Sequence, residues 1–255
     1  SLIAKVLPRP GLIADMTPHH NLERALAKQF NDPRLAQLFG RYATYVGGSP
    51  KESPAILSLI AHAEAAGVWR IEGGFHALPR AIEALAKKRG ATFTYATDVD
   101  VIQTGGETLT VTTATEEFTA NQVVFNGDPR ALQSGKLGPQ VTSAVSRSAV
   151  SPRSLSAAVL SFAARPIGPK LSHHTVFFGD VLNAEFTDLS KGKLPSDATL
   201  YVCAEDQDAG SSSDALQRFE ILLNAPAGLT LKPEEKQACL TRILQRLSHF
   251  GLTFD

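Results

Sequence analysis

The chain has 255 residues, enough for one large domain or two smaller ones with an ample core. Hydrophobic residues make up 43% and charged residues 20%, the balance of a folded globular chain and not of a disordered one. Its 25 Lys and Arg offset 25 Asp and Glu, so the basic excess with which nucleic-acid binders meet phosphates is missing and no nucleic-acid partner is expected.

In chain order, residues 1–16 hold prolines and a glycine and read as irregular, with one short strand. Thr17-Pro18 places an N-cap before a proline at the first helical position and predicts a helix to about Phe30. Asp32-Pro33 repeats the signal, and Leu35, Leu38 and Phe39 give a second helix its stripe until Gly47-Gly48-Ser49-Pro50 breaks it. Ser53-Pro54 opens a third helix through about Ala65. Its Ile56, Leu57, Leu59, Ile60 and Ala63 surround most of the circumference, so it should be buried or face something apolar. Val68-Trp69-Arg70-Ile71 predicts a short strand ended by Gly73-Gly74. Leu78, Ala81, Ile82 and Leu85 then mark a helix that stops at Lys87-Lys88-Arg89-Gly90.

From Thr92 the period becomes two. Phe93/Tyr95, Val99/Val101 and Leu109/Val111 predict short strands, with a hairpin turn at Gly105-Gly106. Val123-Val124-Phe125 is a continuous apolar run, expected of a strand buried on both faces, and Asn126-Gly127-Asp128-Pro129 ends it before a short helix. Residues 133–152 are mixed. Strands are predicted at Leu155–Ala163, Thr175–Phe178, Leu200–Cys203 and Phe219–Leu223, with a flexible surface loop at Asp208–Asp214. Pro233-Glu234-Glu235 starts a last helix with Leu240, Ile243, Leu244 and Leu247 on one face. Helices and strands interleave without a strict βαβ rhythm, which predicts an α+β fold.

Several chemical signatures are absent: GxGxxG, GxxxxGK[ST], HExxH and GxSxG do not occur. Cys203 and Cys239 form no CxxC pair and read as cytosolic thiols. No apolar run reaches the roughly 18 to 20 residues that span a bilayer. The first residues are wrongly composed for a signal peptide and lack an initiator Met, so the chain reads as an excised segment. Neighbouring histidines at His19-His20 and His173-His174 should point in different directions, and no metal site is expected. Gly73-Gly74, between a strand and a helix, suits either a close backbone approach to an anion or a plain turn needing positive φ. Asn126-Gly127-Asp128-Pro129 is equally a crevice-lining turn or a capped helix start. Tyr42, Tyr45 and Trp69 could line an apolar pocket or fill a core.

Phe39-Gly40-Arg41-Tyr42-Ala43-Thr44-Tyr45-Val46-Gly47-Gly48-Ser49-Pro50 resembles the helix-and-loop motif of CrtI-type carotenoid desaturases. Gly67-Val68-Trp69-Arg70-Ile71-Glu72-Gly73-Gly74-Phe75 resembles a further segment of that family, with Phe75 where Met is usual. The Val99/Ile102 strand and Val123-Val124-Phe125-Asn126-Gly127-Asp128-Pro129 continue the pattern in order, with Gly127 where the family carries alanine. The match is firm over about residues 30–132 and looser elsewhere, and is nearest to the hydroxyneurosporene desaturase branch.

The resemblance implies an FAD enzyme of the amine-oxidase superfamily: a split Rossmann-like FAD domain with an inserted substrate domain of mixed β-sheet and flanking helices. Residues 1–66 and 133–249 would form the substrate domain, and residues 67–132 a middle segment of the FAD domain. Val99 and the Asn126, Gly127 and Asp128 turn would contact FAD. Gly73, Gly74, Trp69 and Tyr45 would lie near the flavin and the substrate entrance. The implied activity is desaturation of a C40 carotenoid such as hydroxyneurosporene by hydride transfer to flavin, with no protein base singled out. The missing dinucleotide fingerprint makes this piece alone inactive. A carotenoid substrate implies a cytoplasmic protein touching the membrane surface, with the helices of residues 17–66 as the contact. Another FAD oxidoreductase of the superfamily, or a non-catalytic apolar-ligand binding fragment, remains an alternative.

Overall fold

The computed structural model describes residues 20–182, 184–207 and 215–255. The expected Thr17-Pro18 cap, the irregular 1–16 segment and the 208–214 loop lie outside those residues. The chain divides into two compact units, one of residues up to Trp69 together with Ser154–Asp255, the other of Arg70–Arg153.

The first unit begins with α1 (Leu22–Gln29), capped by the Asn21 side chain, which accepts from Arg24 N at 2.9 Å. In α2 (Pro33–Gly40) the Asp32 carboxylate caps Arg34 N and Pro33 takes the first turn, as the sequence predicts. A 3-10 turn, Arg41–Val46, continues it and stops at Gly47, whose φ of 65° reverses the chain. The third predicted helix is a 3-10 turn, Ala55–Ser58, running into α3 (Leu59–Ala65). Leu22, Leu26 and Ala43 form a small core with Phe30, Phe39 and Leu57 packed on it.

The rest of this unit is a sheet of β4 (Ser156–Ala164), β6 (His174–Phe177), β7 (Leu200–Ala204) and β8 (Gln217–Ala225), ordered β4-β8-β7-β6. A short β5 (Pro166–Ile167) pairs with β9 (Thr253–Phe254). A mixed sheet was the expectation, but among the described residues every strand pair is antiparallel. Antiparallel pairing leaves the two sheet faces free to differ. Leu200, Val202, Ala204, Phe219, Ile221 and Leu223 are buried in one core with Cys239, Ile243 and Leu247 of α7 (Pro233–His249). Each such apolar side chain contributes about 1.5–3 kcal/mol on burial. The intervening residues, among them Tyr201, Leu222 and Asn224, are only partly buried and face the other side. Between β6 and β7 lies a helix the sequence reading missed, α6 (Ala184–Ser190).

The second unit holds α4 (Ala77–Lys88), a meander of β1 (Val99–Gly105), β2 (Thr108–Thr113) and β3 (Glu117–Ala120), and α5 (Pro129–Gln133). The hairpin turns at Gly106, with φ 70°, one residue from the expected centre. Ile102, Leu132, Leu137 and Val141 make its core.

Three predicted strands do not form among the described residues. Val68–Ile71, Phe93–Tyr95 and Val123–Phe125 are irregular, and Val124 is 90% exposed. A strand needs a neighbour to take its N–H and C=O groups, and these runs have no ladder partner here. The Phe93 and Tyr95 rings instead stack at 6.0 Å, with the Lys87 ammonium 5.5 Å over Phe93. The apolar stripe of α4 also lies uncovered: Leu78, Ile82 and Leu85 are all exposed.

Candidate functional site

A cavity of about 1170 Å³ lies within the first unit, between the helical layer and the uncovered sheet face. Leu38, Phe39, Tyr42 and Tyr45 come from α2 and the turn after it, and Glu64 and Val68 from α3 and beyond. Ala157, Val176, Tyr201, Leu222 and Asn224 rise from β4, β6, β7 and β8. They reach the cavity because they alternate with the residues that face α7. The backbone couples the two walls: Leu155 N donates to Gly47 O at 2.7 Å. A Cβ on Gly47 would stand 2.7 Å from Ser154 Cβ, so only glycine fits that turn.

The helical wall is aromatic. Phe30, Phe39, Tyr42 and Tyr45 follow one another at centroid distances of 5.0, 6.0 and 5.6 Å. Both tyrosine hydroxyls donate to Glu64, Tyr42 to Oε2 at 2.7 Å and Tyr45 to Oε1 at 3.0 Å. Burial, then the Glu64 carboxylate, pushes the Tyr42 phenol up to about 12, and Tyr45 is raised by the same causes. Both stay protonated at neutral pH and act as hydroxyl donors. On the sheet side, Arg41 Nη1 donates to Glu185 Oε2 at 2.9 Å and Asn224 Nδ2 to Glu185 Oε1 at 2.7 Å. Glu185 is 5% exposed, so this carboxylate is kept by its partners.

Farther along the same face, Tyr201 hydroxyl bonds His174 Nδ1. Burial comes first among the causes that raise the Tyr201 phenol. Burial and then Glu205 push the Cys203 thiol up to about 11. Both cysteines are free and buried, as the sequence suggested for thiols. The expectation that His173 and His174 diverge does not hold, because their rings meet with centroids 4.4 Å apart. His173 precedes the first residue of β6, so strand alternation does not yet separate the two rings.

Of the residues singled out from sequence, Tyr45 lines the cavity, whereas Trp69 is not among its lining residues and is 81% exposed. The others lie on the second unit. Gly73 and Gly74, with φ 81° and 86°, form the turn before α4, and a Cβ on Gly74 would meet no atom within 4 Å. Val99 is the exposed first residue of β1. Asn126 and Gly127 are exposed, and Asp128 caps α5 by accepting from Arg130 N at 3.0 Å while holding Arg153 Nη2 at 2.6 Å. Arg153 holds Asp128 below the usual carboxylate range, helped by the Arg130 amide. Arg41, Glu64, Glu185 and Asn224 were missed in sequence; only Arg41, inside the motif from Phe39 to Pro50, carried a signal. Among the described residues, no helix is long and apolar enough to cross a membrane.

A family model described as flavin containing amine oxidoreductase matches residues 13–216. Hydroxyneurosporene desaturase of Cereibacter sphaeroides is 48% identical over 248 residues, covering 96% of this chain and 49% of that protein. The proteins of the same name from Rubrivivax gelatinosus and Rhodobacter capsulatus are 42% and 40% identical, each covering 100% of this chain and 50% and 52% of their own length. The chain thus spans about half the length of the curated relatives it matches.

Proposed function

The chain belongs to the flavin containing amine oxidoreductase family, and from that premise we propose that the whole protein is an FAD-dependent desaturase of a C40 carotenoid such as hydroxyneurosporene. The cavity is the observation that carries this reading. At about 1170 Å³ it exceeds the range of roughly 300–1,000 Å³ common for compact ligands, and its walls are largely aromatic and aliphatic, with Arg41, Glu64 and Asn224 among them. Such a space suits a long apolar chain. The hydroxyls held by Glu64 suit a substrate that carries a single polar group.

When bound, FAD supplies the hydride acceptor for removing two hydrogens from a C–C bond. This chain would contribute position and dryness. Phe39, Tyr42 and Tyr45 stack beside the polyene, Val176 and Leu222 fix its depth, and the apolar walls keep water from the reacting bond. On the second unit, Val99, Asn126 and the open backbone at Gly73 and Gly74 leave room for a dinucleotide to approach the main chain, whereas the Phe125 ring crowds Gly127. Asp128 would act indirectly, by capping the turn that carries Asn126. These residues fit one strip of a flavin site. The exposed Val124 and the uncovered stripe of α4 support a split Rossmann-like domain completed by the remainder of a longer protein. On this reading the present 255 residues alone hold substrate without turning it over.

Ile56 and Leu59, exposed beside the cavity helices, support peripheral contact with the membrane in which a carotenoid dissolves.

The test uses full-length protein with Val176→Glu and Leu222→Arg, which place charge in the cavity floor. Each should keep flavin absorbance and lose desaturation by about a hundredfold, the scale of a misplaced substrate. Wild-type turnover in both variants would disprove the cavity as the substrate site, and a full-length protein with no flavin absorbance would disprove the cofactor reading.

A further inference from the structure

At the edge of the four-stranded sheet, beyond the residues given a role above, the chain gathers nitrogen and sulfur donors. His174 on β6 is the direct register partner of Cys203 on β7, so the two side chains rise from the same face at one rung. His173 is brought to the same spot by a double attachment to Ala204: Ala204 N donates to His173 O at 2.9 Å, and His173 Nδ1 lies 2.9 Å from Ala204 O. A carbonyl oxygen only accepts, so Nδ1 carries the ring hydrogen and Nε2 keeps its lone pair. That lone pair lies 3.9 Å from Cys203 Sγ. One ligand atom from each of His173, His174 and Cys203 lies within 4.8 Å of the other two.

We propose that His173, His174 and Cys203 bind a zinc ion, with a water molecule completing the tetrahedral shell. Tetrahedral zinc, with bonds of about 2.3 Å to sulfur and about 2.0 Å to nitrogen, separates its ligand atoms by roughly 3.5 Å. The observed 3.9 Å from Sγ to His173 Nε2 is close to that value. The His173 Nδ1–H held on a backbone carbonyl is the arrangement that orients a ligating imidazole. Tyr201 bonds His174 Nδ1, which holds that second ring in place. Two imidazoles and a thiolate select a borderline or soft cation over magnesium or calcium. Glu220, paired across β8 with Cys203, adds a further negative charge beside the cation. Binding releases the Cys203 thiol proton to solvent and involves no change of oxidation state. The ion would fasten edge strand β6 to β7 beside the cavity, which His174 also lines.

The experiment dialyses full-length protein against micromolar zinc and counts the metal retained by wild type, Cys203→Ser, His173→Gln and, as a control, Cys239→Ser. Wild type and Cys239→Ser should each retain one zinc that depends on this cluster, while Cys203→Ser and His173→Gln bind at least tenfold more weakly. X-ray absorption at the zinc edge should show one sulfur neighbour at about 2.3 Å. Circular dichroism checks that the variants fold, and either one suffices for the comparison. Equal zinc in wild type and in a folded variant, or a coordination shell without sulfur, overturns the proposal.

Discussion

Arg41 reaches Glu185 across 144 positions of sequence, and its Nη1 donates to the carboxylate Oε2 at 2.9 Å. The two side chains are 16% and 6% exposed, so the pair sits out of water where a lone charge is costly. Arg41→Met leaves Glu185 with only Asn224 among the described residues and should lower stability by about 3–5 kcal/mol. Arg41→Met combined with Glu185→Leu should recover much of that loss, because no buried charge is then left over. Urea denaturation of the two single variants and the double variant measures the coupling, and strictly additive losses would refute the pairing.

Gly47 and Gly106 have nearly the same backbone, φ 65° and 70°, in different surroundings. A Cβ on Gly106 would meet nothing within 4 Å, whereas one on Gly47 would press on Ser154 Cβ at 2.7 Å. Gly106→Ala should cost about 1–2 kcal/mol for the left-handed backbone alone. Gly47→Ala should exceed it by about 1–3 kcal/mol, the scale of overpacking. It should also lower desaturation, because Gly47 joins the aromatic wall to the strand that forms the floor. Melting temperatures and turnover of both variants provide the check, and equal destabilisation would refute the close approach.

Asp128 links a turn to pH. Its folded pKa is lowered by Arg153 first and by the Arg130 amide second. A carboxylate lowered in the folded state stabilises at pH values above its unfolded pKa of about 3.9, and that contribution disappears as pH falls through the lower folded value. Stability of wild type should therefore drop more steeply below about pH 4 than that of Asp128→Asn, which still caps α5 but has no proton to gain. Urea midpoints measured from pH 7 downward test this; parallel curves would mean that the Arg153 pair contributes nothing.

Local signals survived the passage from sequence to structure, and signals that need a distant partner did not. Asp32-Pro33, Asp128-Pro129 and Pro233 start helices because a cap and a fixed φ act within one turn. β4, β7 and β8 were legible because alternation records which side meets α7. Val123-Val124-Phe125 was apolar enough for a central strand, yet a strand exists only with a neighbour. The sequence left Tyr42 and Tyr45 open between pocket and core and gave Glu64 no place at all, since nothing in spacing reveals that two tyrosines will share one carboxylate. α6 escaped notice for the same reason: its buried Glu185 reads as a surface residue until Arg41 and Asn224 surround it. The meeting of His173 with Cys203 depends on the register of β6 against β7, which no single segment records.

That distinction also decides how membrane contact should be probed. In sequence, Ile56, Leu57, Leu59 and Ile60 looked equivalent around one helix. In the structure Leu57 packs on the core of Leu22, Leu26 and Ala43, whereas Ile56 and Leu59 are 43% and 51% exposed. Leu57→Glu would bury a charge and unfold the helical layer, so lost binding in that variant would say nothing about lipid. Ile56→Glu with Leu59→Glu changes only exposed positions and should leave stability within about 0.5 kcal/mol. Each half-exposed side chain contributes about 1 kcal/mol on entering an apolar phase, so the double variant should bind phosphatidylcholine liposomes more than tenfold less tightly than wild type. Co-sedimentation of the full-length proteins reads this directly. Unchanged binding by the folded double variant would move the contact to another surface, and a wild type that does not sediment would remove it.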